Sequence, residues 1–320
     1  MIKTTLWIGL VVIVLLSPFL GAVDLSIEDI VHLKGLSAQI FYELRLPRVF
    51  FTFFAGAVLA LSGLLFQTLF RNPLMTPYTL GISSGATLGA GVAIKLGLNS
   101  LFFGIGTVTL FGFLGALLTI FLLLYLAQFL KGSQQSSLLL LGIALSLFYS
   151  AALMLIFYLG NTIQNDMLIR FTMGSLSIIG WQSPLVLGSV AFFLTLALYA
   201  YRFELQLLAV SQESAKLKGV ESQKVTLILL LISSFAIGIL VSISGPIGFV
   251  GLIVPHIVAK LYPLTVERRI FKTALFGGFF LVVCDTISRT LPSQSELPIG
   301  IITALIGGPF FIYLIITNKR

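Results

Sequence analysis

Charge is what this 320-residue chain has least of. Only 9% of its residues are Asp, Glu, Lys or Arg, where a water-soluble domain carries roughly a quarter. A surface so poor in charge faces lipid, and no polar stretch is long enough to form a separate soluble domain. We read residues 1–320 as one membrane domain. Cysteine is nearly absent too. Cys284 stands alone, which excludes an internal disulfide and any cysteine-based metal cluster. We read it as a small apolar helix residue. The two histidines, His32 and His256, are remote in sequence and form no His-Glu-x-x-His pair, and His256 reads as a packed or interfacial side chain. No Gly-x-x-x-x-Gly-Lys-Ser/Thr loop is present, so the chain should not hydrolyse nucleotide by that route. These absences point away from an enzyme and from any cofactor or metal bound by this chain.

What fills the sequence is apolar: 58% hydrophobic residues and a mean hydropathy of +1.10. A bilayer core about 30 Å thick needs about 20 helical residues to cross it. Backbone polar groups in lipid must be satisfied internally, by helices or by a closed barrel. Barrel strands alternate in polarity over about 10 residues. Runs such as 110–126 and 227–241 are apolar on every side, so helices are expected. Ten candidate cores follow: 6–21, 46–70, 79–94, 101–130, 138–158, 184–201, 225–241, 248–261, 271–287 and 299–317. The eighth, flanked by Gly245 and Pro246 and containing Pro255, is expected to be short, broken or tilted. The first lacks a clear Ala-x-Ala cleavage site and is expected to be retained.

The net charge of +8 is informative by location. With ten crossings both termini share one side. Placing them in the cytoplasm puts Lys3, Arg71, Lys131, Arg202, Lys216, Lys218, Lys224, Lys260, Arg268, Arg269, Lys272, Lys319 and Arg320 inside, against Lys34, Arg45, Arg48, Lys95, Arg170 and Arg289 outside. That is 13 against 6, the asymmetry of the positive-inside rule. The basic balance therefore speaks of topology in a lipid membrane and not of nucleic acid.

Three polar segments interrupt the apolar pattern: 22–48 and 159–183 on the expected outside, and 202–224 on the expected inside. Within the second, 167–176 could form a surface helix. Within the third, Ser211 is a candidate N-cap and Gly219 a candidate C′ stop of a short amphipathic helix. Gly81, Gly85 and Gly89, four apart, form a small-residue stripe read mainly as internal packing. Charges inside helices are scarce. Asp285 and Arg289, at i and i+4, are positioned to pair. A proton- or sodium-coupled carrier usually needs buried ionisable groups along its path, so their scarcity argues for energy entering through a partner.

Several stretches carry a family resemblance: Leu44-Arg45-Leu46-Pro47-Arg48; Ser62-Gly63 and Gln67; Arg71-Asn72-Pro73-Leu74, Pro77 and Leu80-Gly81; Gly245-Pro246-Ile247-Gly248-Phe249-Val250-Gly251-Leu252 and Pro255-His256-Ile257; Glu296-Leu297-Pro298-Ile299-Gly300-Ile301 and Gly307-Gly308-Pro309-Phe310. In this order and spacing, across nearly the whole chain, they resemble FecCD-type permease subunits of ABC importers for iron–siderophore, haem and cobalamin. Three places depart from the pattern. Ala259 stands where the family often has arginine, the Val266-Glu267-Arg268 region replaces Asp-His-Arg, and Lys218-Gly219-Val220 replaces Leu-Gly-Val.

The resemblance implies an all-α polytopic membrane protein of about ten transmembrane helices in the type II, cobalamin-importer-like permease fold. It further implies a bacterial cytoplasmic (inner) membrane location with both termini cytoplasmic. The expected partners are a second permease subunit, expected to be identical, two cytoplasmic ATPase subunits that bind ATP and Mg, and an external substrate-binding protein. A ferric siderophore or similar chelate would pass between the permeases. Arg45, Arg48 and Arg289 match outward-facing arginines that dock the binding protein. Ser211, Ala215, Lys218, Gly219 and Val220 match the ATPase-coupling segment. Gly132, Ser133, Gln134, Gln135, Ser136 and Ser137 match the cytoplasmic gate. The alternatives are a cobalamin, haem or other metal-chelate importer, an ion-coupled secondary transporter, and a structural membrane protein.

Overall fold

The computed structural model of the chain describes residues 2–21, 23, 25–98, 101–102, 105–129, 134–291 and 296–317. Each of the ten candidate cores overlaps a helix, although the helix in the fourth, 101–130, begins only at Thr107. In chain order the helices are α1 (Ile2–Leu16), α2 (Gly35–Phe70), α3 (Ile82–Lys95), α4 (Thr107–Ala127), α5 (Gln134–Leu159), α6 (Thr162–Met173), α7 (Gln182–Ala200), α8 (Arg202–Val210), α9 (Gln212–Leu217), α10 (Ser222–Ser244), α11 (Val250–Leu261), α12 (Val266–Thr290) and α13 (Ile299–Thr317). One helical turn, Ile27–Val31, precedes α2, and two-residue strands, Leu101–Phe102 and Ile105–Gly106, pair before α4. Among the described residues six helices are long and apolar enough to cross a membrane: α2, α4, α5, α7, α10 and α12. Helix α11 is 12 residues long with Pro255 inside it. At 1.5 Å per residue it reaches only about 18 Å, as the flanking Gly and Pro led us to expect.

Helix α2 is the axis of the bundle, with 83% of its apolar window buried, followed by α12 at 61%; α5, at 17%, is the most exposed. Small residues set this arrangement. Gly63 on α2 faces Gly251 on α11, and Gly56 on α2 faces Gly277 on α12. A Cβ at either α2 position would sit far inside van der Waals contact distance of the opposing carbonyl oxygen. Such close approach is how membrane helices gain packing energy where no hydrophobic effect drives them together. The Gly85 and Gly89 stripe likewise packs internally, against Gly115, Thr119 and Phe111 of α4. Helix α2 ends where Arg71 takes a left-handed conformation, φ 48°, ahead of Asn72-Pro73.

Helix α1 is bonded into the bundle. Trp7 Nε1 donates to the Tyr262 hydroxyl at 2.6 Å, and its ring meets Phe276 and Phe279 of α12 edge-on. The polar segment 202–224 folds further than expected. In addition to α9 it forms α8, whose Leu205 and Leu208 are buried. The gate region also begins its helix early. Gly132 and Ser133 lie outside the described residues, but Gln134, Gln135, Ser136 and Ser137 form the first turn of α5.

Candidate functional site

The arginines singled out in the sequence meet at one end of the bundle. Six residues of π-helix, Ile40–Arg45, lie within α2 and bring Arg45 beneath the end of α1. Its Nη1 donates to the carbonyls of Pro18 and Phe19 at 3.2 and 3.1 Å, and its Nη2 to the carbonyl of Val23. Arg48 donates from Nε and Nη2 to one oxygen of Asp285 at 3.1 and 2.8 Å, and from Nη1 to Glu296 Oε2 at 2.7 Å. Arg289 holds the other Asp285 oxygen in an ion pair at 3.1 Å. Its Nη atoms reach Leu20 O at 3.1 Å and Ser17 Oγ at 2.8 Å. The expected Asp285–Arg289 pair is therefore present, and it is shared with an arginine 237 positions away.

The arginines expected to face outward are largely covered. Asp285 is fully buried, and the Arg289 and Arg48 side chains are 4% and 11% exposed; Glu296 is 46% exposed. The end of α1 is the physical reason, because it covers Arg45 and Arg289 and supplies carbonyl acceptors to both. Three guanidinium groups gather here with the carboxylates of Asp285 and Glu296. Arg45, Arg48, Arg289 and Glu296, with Ser177 and Leu44, line a cavity of about 380 Å³ at this end. The segment after α6 closes over it, with Gly180 N donating to Glu43 O at 2.8 Å and Trp181 Nε1 to Tyr42 O at 3.1 Å.

At the opposite end lies α9. Ser211 Oγ accepts from Ser214 N at 2.9 Å, as an N-cap does. Gly219 takes φ 79°, its N–H donates to Lys216 O at 2.9 Å, and Val220 N donates to Ala215 O at 3.0 Å. This is the paired C-terminal bonding of a Schellman motif, with glycine at the position needing a left-handed backbone. Ala215 is buried against the bundle, while Leu217 is 89% exposed at the tip. A rigid, capped turn of helix that presents a leucine to solvent is suited to fit a groove on another protein.

The two ends stay separate. Among the described residues no ion pair joins the two sets of basic residues sorted in the sequence. Arg202 pairs with Glu267 and Lys224 with Glu221 at the α9 end, and Arg48, Arg289 and Arg170 pair only at the other. Gly81-Ile82-Ser83-Ser84-Gly85 has the spacing of a hydrolase nucleophile elbow, but Ser83 is buried in the first turn of α3 and no histidine bonds to it. Among the described residues no group of His, Cys, Asp or Glu could hold a metal. Cys284 is free and buried.

A bundle of apolar helices whose described ion pairs gather at its two ends is a polytopic membrane protein. The comparisons say which kind. Residues 9–317 match the FecCD transport family, and the chain belongs to it. The hemin transport system permease protein HmuU of Yersinia pestis is 34% identical over 318 residues, covering 98% of this chain and 95% of that protein. The molybdate import system permease protein MolB of Haemophilus influenzae is 32% identical over 325 residues in a similar full-length match, 97% of this chain and 94% of that one. A solved structure of a transporter assigned to the metal-chelate ABC type, in an inward-facing conformation, superposes with a TM-score of 0.85. It is 29% identical and covers 98% of this chain and 99% of its own.

Proposed function

We propose that the chain is the permease subunit of a binding-protein-dependent ABC importer, and that its cargo is an iron–siderophore complex. The match to the transport family over residues 9–317 carries the permease part of this reading. Two copies would sit side by side in the bacterial cytoplasmic membrane with the translocation path between them and both termini in the cytoplasm. Two ATPase subunits would grip the α9 end, and an external binding protein would dock at the Arg48 end. ATP and Mg would be bound by the ATPase alone. The ligand needs no tight site in the membrane, since a weak and mainly apolar passage is enough to release it. Relatives named for hemin and for molybdate keep a haem, cobalamin or other metal-chelate cargo as the second reading. Uptake by the complete system should be tested with ferric siderophores, haem, cobalamin and molybdate. Transport of a ferric siderophore ahead of the others supports the first reading, and transport of another member of the panel alone overturns it.

The Arg48 end suits docking through an acidic side chain of the binding protein, because three guanidinium groups, Arg45, Arg48 and Arg289, line its cavity beside the half-exposed Glu296. The cavity mouth beside Glu296 is the proposed point of entry. The first turn of α5, with Gln134, Gln135, Ser136 and Ser137, is the proposed inner gate. Coupling to hydrolysis is assigned to Ser211, Ala215, Lys218, Gly219 and Val220. In the Gly219→Val variant the left-handed position would hold a β-branched residue, which favours the extended region. The Schellman bonds should then open while the membrane helices still insert. We expect normal amounts of permease, weakened ATPase assembly, and uptake reduced at least about tenfold, equivalent to about 1.4 kcal/mol of lost coupling. Normal uptake with normal substrate-stimulated hydrolysis would remove α9 from the coupling path.

A further inference from the structure

A second charged cavity, of about 340 Å³, lies at the α9 end, between the end of α2, α8, α11 and the start of α12. Arg71 and Arg269 line it, with His256, Gln67 and Asn72. Among the described residues no acidic one does. Glu267, the neighbouring carboxylate on α12, is held by Arg202 at 3.0 Å, and Glu204 on α8 is outside the lining. Arg269 Nε is buried and has no hydrogen-bond partner among the described residues. Gln67 Nε2 is spent on the carbonyls of Gly251 and Leu252, and Asn72 Oδ1 on the N–H of Leu74, so the Asn72 amide NH2 is left to donate into the cavity. A buried, unpaired guanidinium N–H costs free energy unless an acceptor reaches it. The lining as a whole is a set of donors around a positively charged hollow.

The surroundings say where the acceptor comes from. Tyr199 lies against Arg202 at 4.3 Å, Tyr262 against Lys272 at 5.0 Å, and Tyr313 against Lys260 at 5.7 Å. Tyrosines paired with basic residues on three different helices form the belt that membrane proteins place at headgroup level. Basic hollows between helices at that level receive anionic headgroups. We propose that this cavity is a binding site for the phosphate headgroup of an anionic phospholipid. The inference rests on the reading of the chain as a membrane permease, and the orientation proposed above makes the lipid one of the inner leaflet. A bound headgroup would tie α2, α8, α11 and α12 together directly beside the coupling helix.

The test uses the purified full-length permease in detergent, without ATP or cargo, so its failure would leave the importer reading untouched. Native mass spectrometry would measure retention of phosphatidylglycerol against an equal concentration of phosphatidylcholine. The wild type should prefer phosphatidylglycerol. One basic residue at a headgroup contributes about 1 kcal/mol, so Arg269→Gln should lower the preference about fivefold. Ala259→Leu, which fills the cavity without altering charge, should lower it as well. Arg269→Lys should keep most of it, and Lys224→Gln, an exposed charge elsewhere at the same end, should not change it. Millimolar inorganic phosphate should fail to displace the bound lipid. No preference in the wild type, or a preference in Arg269→Gln and Ala259→Leu as strong as the wild type's, would overturn the proposal. Displacement by phosphate would assign the cavity to a free anion instead.

Discussion

Asp285→Ala should leave little folded permease. The change strands the Arg48 and Arg289 guanidinium groups, 11% and 4% exposed, beside a cavity where their shared carboxylate had been. Breaking a buried ion pair from one side costs about 3–5 kcal/mol, because the remaining charge is left desolvated and unpaired. That is a large share of the roughly 5–15 kcal/mol that holds a domain folded. The loss should appear as a lowered unfolding temperature and an aggregated elution profile in mild detergent. Asp166→Ala provides the contrast. Its pair with Arg170 is 61% and 76% exposed, and exposed pairs contribute about 0.2–1 kcal/mol before salt screening. If the two variants unfold within a degree of one another, the Arg48–Asp285–Arg289 cluster does not organise this end of the bundle.

Gly63→Leu should be at least as damaging, for a steric reason. The Gly251 carbonyl of α11 occupies the space a Cβ would need, and it belongs to backbone that cannot rotate away. Overpacking a core against movable side chains costs about 1–3 kcal/mol. Here two helices must separate, which also breaks the Gln67 bonds to Gly251 and Leu252 four residues further along α2. We expect no monodisperse permease from Gly63→Leu and a clear loss from Gly63→Ala. Gly9→Ala on α1, where a Cβ meets nothing within 4 Å, should behave as wild type. A stable Gly63→Leu protein would refute the α2–α11 packing.

How far the sequence could be read follows from the range over which each signal acts. The bilayer imposes long apolar runs, so helices such as α2, α10 and α12 stand out in one dimension. Ser211 and Gly219 cap α9 through their own conformational preferences, and both were visible for that reason. Asp285 and Arg289 were visible because i and i+4 share a helix face. Arg48 joining them was not, since its partner is 237 positions away. Nor was the burial of Arg45 and Arg289. Their acceptors are mainly backbone carbonyls at the end of α1, and a carbonyl carries no side-chain signature. Helix α8 was hidden by its polar neighbourhood, although Leu205 and Leu208 at i and i+3 gave a short signal. The basic cavity beside it gathers Arg71, His256 and Arg269 from three helices, and no local pattern joins them.

The central claim is that energy enters this permease from a partner ATPase and not from an ion gradient. The direct measurement is uptake of a labelled ferric siderophore into proteoliposomes holding the permease with its ATPase and binding protein. Accumulation should require ATP on the α9 side and the binding protein on the Arg48 side. It should also persist when proton and sodium gradients are collapsed. Accumulation driven by either gradient in the absence of ATP would contradict the account.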